Sequence, residues 1–152
     1  MRADIDSRFL FTAAETRELD RRAIEEHGIP GIRLMSRAGE ACFELLRARW
    51  PQDLPIHVVC GTGNNGGDGY IVAALAQDRG LPCTVYQVGD PGRIGGDALL
   101  ARERALGAGV QVKPFAGESL RGRGLVVDAL LGTGLTGEVR DDAAQAIRAI
   151  NE

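Results

Sequence analysis

Several residue types are scarce here, and each scarcity removes a class of function. Aromatic residues make up 5% of the 152, and Lys113 is the only lysine among 18 basic residues. Against 21 acidic residues the formal net charge is −3. A chain of that balance offers no electrostatic reason to bind nucleic acid or an anionic membrane. The preference for arginine over lysine is read as codon usage in a GC-rich genome. Cys42, Cys60 and Cys83 are widely spaced and form no Cys-x-x-Cys pair, so no disulfide framework is read. The opening residues carry Arg2, Asp4, Asp6 and Arg8 and are too polar for a secretory signal. These two features predict a reducing, cytoplasmic setting. No apolar run approaches the roughly 18 residues of a membrane span. His57 has no Cys or His partner at metal-ligand spacing, and His27 is read as a helix C-terminal group.

What is present is an ordinary globular balance, 44% hydrophobic and 26% charged, with an excess of 21 glycines. The length fits a single domain, read over residues 1–152. Thr12 and Glu15 fit a capping box that opens a helix running to about His27 and stopped at Gly28. A second helix is read from Ile32 to Arg49, on the spacing of Leu34, Met35, Ala38, Cys42, Leu45 and Leu46. Thereafter apolar β-branched runs alternate with helical segments. Strands are read at 55–60, 83–88, 110–112 and 125–130. Helices are read at 70–79, 97–106 and 141–150, the last capped by Asp141 or Asp142. This order predicts an α/β fold of three layers, Rossmann-like, preceded by two helices. Its sheet is mostly parallel, with helices on both faces.

Two glycine-rich segments leave strand ends, read as loops over 61–69 and 132–137. If the strand order is 3-2-1-4, both flank one crevice at the switch point, where open α/β sheets bind ligands. Gly61, Gly63 and Gly66 match the dinucleotide fingerprint. A structural turn is the equal alternative. Asn64, Asn65 and Asp68 count against an ordinary fingerprint, because a carboxylate there repels pyrophosphate near a helix N-terminus. Asp68 reads instead as a helix cap or as part of a polar or cationic site. Asp128 closes an apolar run at the strand rim. It is either a cap for the following loop or a carboxylate facing the crevice as a ligand or acid/base group.

These segments resemble a known family. Val58 to Gly69, with its core Gly-Thr-Gly-Asn-Asn-Gly-Gly-Asp-Gly, is similar to the signature of the YjeF N-terminal domain family, the NAD(P)H-hydrate epimerases. Val127 to Gly137 resembles the family's second motif. Gly28-Ile29-Pro30-Gly31, Leu34 to Gly39 and Gly96-Asp97-Ala98 resemble its helix motifs. The resemblance implies an isomerase of nicotinamide-cofactor repair. It would interconvert the R and S epimers of hydrated NADH and NADPH, metabolites damaged by a hydroxyl on the nicotinamide ring. It implies substrate contacts from Asn64, Asn65, Gly66, Gly67 and Asp68, and from Gly132, Thr133, Gly134, Leu135, Thr136, Gly137 and Glu138. It implies a potassium ion held by Asn65 and Asp128, with Asp128 as the candidate catalytic residue. It also implies a homodimer and, in many bacteria, fusion to an ADP- or ATP-dependent dehydratase. Family members continue into a strand ending in Asp-x-Pro-Ser-Gly, so on this resemblance the chain carries about two-thirds of the domain. Two other readings stand beside it. One is an NAD(P)-dependent oxidoreductase with Asp90 on the ribose. The other is a non-catalytic domain that binds nucleotides or protein partners.

Overall fold

The computed structural model describes residues 11–51 and 53–152, so the reading of the first ten residues lies outside the described part. Helix α1 (Ala13–Glu25) opens on the expected box. Glu15 N donates to the Thr12 hydroxyl at 3.3 Å, and Thr12 N donates to the Glu15 carboxylate at 2.7 Å. The helix ends two residues earlier than its pattern suggests. Gly28, at φ +64°, then reverses the chain, and Ile29 N reaches the Ala23 carbonyl. Helix α1 buries no residue.

Helix α2 (Gly31–Arg49) buries Met35, Gly39 and Phe43, one residue per turn. Four strands follow: β1 (Ile56–Cys60), β2 (Cys83–Gln87), β3 (Gln111–Pro114) and β4 (Leu125–Ala129). Helix α3 (Asn64–Asp78) joins β1 to β2, α4 (Gly96–Gly107) joins β2 to β3, and α5 (Asp141–Asn151) follows β4. All strand pairs are parallel, in the order β3-β2-β1-β4. The switch point therefore lies between β1 and β4, as the motif argument requires.

Alternation along the strands sorts the core into two layers. Ile56, Val58, Cys60, Val85 and Ala129 face α2, α3 and α4, together with Phe43, Ile71 and Ala101. Val59, Tyr86, Val88 and Leu130 face α5 through Ala146, with Leu120 closing that side. The sheet is thus covered on both faces. Helix α3 is the central element and is apolar nearly all round, as a helix enclosed by a sheet and two other helices must be.

Two further departures from the sequence reading bear on the site. The expected loop over 61–69 is a loop only as far as Gly63, and Asn64 to Gly69 form the first turns of α3. Glycines oppose helix formation by about 1 kcal/mol each; here tertiary closeness prevails. A Cβ on Gly69 would lie 2.6 Å from the Ala129 Cβ and 2.9 Å from the Cys60 Sγ. One on Gly67 would lie 2.6 Å from the Met35 Sδ, and one on Gly39 would lie 2.5 Å from the Ile71 Cγ2. The second departure is the cap of α5. Arg140 occupies the N-cap position without a side-chain bond, and Asp142 instead accepts from Ala143 N at 2.8 Å.

Gly69 gives a direct test. Gly69→Ala gains helix propensity but must force apart β1, β4 and α3. We expect a net loss of about 1–3 kcal/mol, the usual cost of overpacking a core, read from denaturant unfolding. A variant as stable as the parent would mean that the strand and helix separate freely here.

Candidate functional site

The carboxyl ends of β1 and β4 meet backbone to backbone. Gly61 N donates to the Ala129 carbonyl at 2.9 Å, and a Cβ on Gly61 would strike the Leu130 carbonyl oxygen. A Cβ on Gly66 would strike the Gly61 carbonyl oxygen, and one on Gly132 would come within 3.2 Å of the Asn65 Cβ. Glycine therefore lets the first turn of α3 and the loop after β4 close on the β1 tip. Asn65 locks this junction, its Nδ2 donating to the Leu131 carbonyl at 3.0 Å.

Above this floor lies a crevice of about 850 Å³, within the size range of small-molecule sites. Asn64, Asn65 and Asp68 line it from α3, and Gly132 to Thr136 with Glu138 line it from the loop after β4. Gly66 and Gly67 are buried in the packing beneath. Gly137, at φ +80°, shapes the loop without lining the crevice. Asp128 does not line it either. Its carboxylate is exposed at the β4 end and accepts from Leu130 N at 3.0 Å, so it does cap the following turn. Asp68 is not a cap, because the N-cap of α3 is Gly63.

Sequence reasoning missed one wall. Thr16, Arg17, Asp20 and Ile24 of α1 line the crevice, and the Arg17 guanidinium donates to the Thr133 carbonyl at 2.5 Å. Helix α1 thus reaches across to the loop after β4. The i, i+1, i+4, i+8 spacing of those residues marks one helical face. Three of the four are polar or charged, so that face carries no apolar period. Arg93 and Asp97 complete the near side. Asp90, the alternative ribose ligand, accepts from Gly92 N at 2.8 Å and caps a 3-10 turn at Pro91–Arg93. That engagement weakens the oxidoreductase reading. Tyr70 belongs to the core, with its hydroxyl on Gln87 at 2.6 Å, and the His57 ring meets the Arg123 carbonyl.

The electrostatics are uneven. Burial, then the charge of Asp20, pushes Asp68 up from 3.8 to about 6. Burial likewise raises the thiols of Cys42 and Cys60, and raises Cys83 to about 12, so none is an activated nucleophile. Among the described residues no group of three His, Cys, Asp or Glu side chains could hold a metal ion. The Asn65 amide oxygen and the Asp128 carboxylate are hard donors, and that chemistry fits an alkali or alkaline-earth cation far better than a transition metal. No helix of the described residues is long and apolar enough to cross a membrane.

Fold and crevice together define a Rossmann-like α/β domain with a crevice at its switch point. The family model described as YjeF-related protein N-terminus matches residues 31–152, and the chain belongs to that family. It is 44% identical to the bifunctional NAD(P)H-hydrate repair enzyme Nnr of Coxiella burnetii, over 94% of this chain and 29% of that protein. It is 37% identical to the NAD(P)H-hydrate epimerase of Rhodobacter capsulatus, over 84% of this chain and 63% of that protein. The yeast protein ynu0 has the same fold, with a TM-score of 0.76 at 19% identity, covering 93% of this chain and 64% of that one. The chain thus spans under two-thirds of each of these relatives.

The half-buried Asp68 carries a stability signature. Its folded-state affinity for a proton is raised, so its contribution is fully present below the unfolded value near 4 and is lost as pH rises through about 6. Asp68→Asn removes the charge that burial penalises. The variant should therefore melt above the parent at pH 7.5, and that advantage should vanish at pH 4. Equal melting temperatures at both pH values would contradict the assignment.

Proposed function

We propose that this domain interconverts the R and S epimers of hydrated NADH and hydrated NADPH. The observation that carries the reading is the crevice itself. Its two glycine-built walls are the segments that resemble the epimerase motifs, and they converge at the one sheet edge where an α/β domain binds nucleotides. The name of the Rhodobacter relative supports the same activity. Asn64, Asn65 and Asp68, with Gly132 to Thr136 and Glu138, supply the substrate contacts from the crevice walls. Gly66, Gly67 and Gly137 contribute by holding the backbone in place.

Potassium is part of the proposal, with Asn65 and Asp128 as its ligands. With its Nδ2 held by Leu131, Asn65 has its amide oxygen left for an ion, and Asp128 keeps one carboxylate oxygen beyond the Leu130 bond. When bound, the ion supplies a fixed positive charge that polarises and orients a substrate oxygen. Fusion to a dehydratase is the covalent partner the reading implies, and the bifunctional Coxiella relative supports it. A homodimer is also proposed. Leu45 and Trp50, 52% and 47% exposed at the end of α2, are apolar surface that it could cover.

The test mixes the purified epimers of hydrated NADH with the protein and follows their ratio by chromatography. Acceleration toward the equilibrium ratio is expected, and it should be greater in potassium than in lithium chloride. Asp128→Ala, at an exposed position, should stay folded and lose most of that acceleration. A folded protein that leaves the ratio at the spontaneous rate would overturn the function. A fully active Asp128→Ala would overturn the role of that residue alone.

A further inference from the structure

The proposed reaction needs a proton carrier. Hydrating the enamine bond of a reduced nicotinamide puts the hydroxyl on the carbon bonded to the ring nitrogen. Inverting that carbon by loss and return of the hydroxyl requires a proton to be given to the oxygen and later taken back. No histidine lines the crevice, the tyrosine nearest its floor is committed to Gln87, and the thiols are held protonated by burial. The arginines stay charged. Among the described residues that line the crevice, carboxylates are the carriers that remain.

They are not equivalent. Asp90 and Asp142 each accept a backbone N–H, at 2.8 Å in both cases, and are engaged in local turn and helix-start contacts. Asp20 and Glu138 are exposed. Asp97 is half-buried, and its carboxylate lies against the start of α2, where a Cβ on Gly31 would strike it. Asp68 is half-buried one helical turn beyond Asn65 and opens on the crevice, with no hydrogen-bond partner among the described residues. Asp20 of α1 and Cys42 of α2 lie near enough to interact with its charge, and Arg17 of α1 and Asp97 of α4 line the same crevice.

We propose that Asp68 is the acid–base catalyst of this site and that Asp20, on the facing α1 wall of the same crevice, is its positioning residue. This rests on the epimerase reading. The Asp68 carboxyl gives its proton to the ring hydroxyl. The C–O bond breaks and water departs, while the ring nitrogen's lone pair forms a C=N bond. Water then adds to the other face of that carbon, the C=N electrons return to nitrogen, and the released proton goes back to the Asp68 carboxylate. Nothing is oxidised or reduced, and one water leaves and one returns. The partial burial of Asp68, and then the like charge of Asp20, disfavour its ionised form, which suits a group that must give up a proton in the reaction.

The experiment measures kcat, KM and their pH dependence for epimer interconversion by the wild-type protein, Asp68→Asn and Asp20→Asn. Wild-type kcat/KM should fall as pH rises through about 6. Asp68→Asn should lose about 100-fold or more in kcat, the usual scale of general acid–base catalysis, with KM little changed and the pH-dependent limb gone. Asp20→Asn lies on the exposed face of a helix that buries nothing. It should fold normally, keep its KM and move the fall in rate to lower pH, because the repelling charge is gone. Restoring the charge as Asp20→Glu should bring the limb back toward its wild-type position. A folded Asp68→Asn with wild-type kcat, or an Asp20→Asn profile superimposed on the wild type, would overturn the proposal. A wild-type protein without epimerase activity would overturn the parent reading and this one with it.

Discussion

Everything at this sheet edge depends on one contact that side chains would forbid. The Gly61 Cα faces the Leu130 carbonyl so closely that a Cβ would stand about 2 Å from the oxygen, and Gly66 faces the Gly61 carbonyl just as closely. Three backbone segments therefore pile directly on one another at the tips of β1, α3 and β4. The Gly61 N–H satisfies the Ala129 carbonyl, and Asn65 satisfies Leu131, so the buried polar groups of the junction find partners. Without this nesting the two strand ends would splay, and the glycine-rich segments would not share a crevice. The glycines thus do structural work first. The polarity of the site comes from the residues set between them.

How legible this was in the sequence depends on the range of the forces involved. The strand run Val58-Val59-Cys60 was readable because a parallel strand buried on both faces needs continuous apolar residues, and Leu125 to Val127 because it is a β-branched apolar run closed by Asp128. The capping box at Thr12 was readable because its partners lie three residues apart. The 3-2-1-4 strand order was a conditional reading, and the structure has it. The start of α3 was not readable. Locally, Asn-Asn-Gly-Gly-Asp-Gly is a loop by any propensity argument. It is helical because Met35 and Ala129, 25 or more residues away in sequence, and Cys60 at the end of the preceding strand pack against it too closely for side chains. Nor could the place of α1 be read, since a helix with no buried residue offers no periodic signal toward a partner.

The walls of the crevice differ in how firmly they are held. Helix α3 is fixed by the core on nearly every side. The loop after β4 runs exposed from Gly132 to Arg140 and is tied by few bonds, among them Arg17 to Thr133 and Leu135 N to the Gly132 carbonyl. Helix α1 is laced on itself by ion pairs of Arg21 and Arg22 with Glu18, Glu25 and Glu26, all well exposed and so of small worth. Elements that must admit a ligand come from the low-stability part of a fold. Here those elements are α1 and the 132–140 loop, facing one another across a rigid floor.

That division explains why Asp68 sits where it does. A carboxylate in the second turn of a largely buried helix is costly when charged, and its cost is set by what covers it. Gly39 of α2 packs close to the Asp68 backbone carbonyl and the Cys42 thiol lies near its charge, and neither stabilises an anion. The cover above is α1, which brings Asp20 close but spends Arg17 on the Thr133 carbonyl. Arg17 is held on the loop and closes the crevice wall, and the α1 charge that acts on Asp68 is that of Asp20. Proton affinity at the centre of the site is thereby linked to the docking of the least firmly held helix.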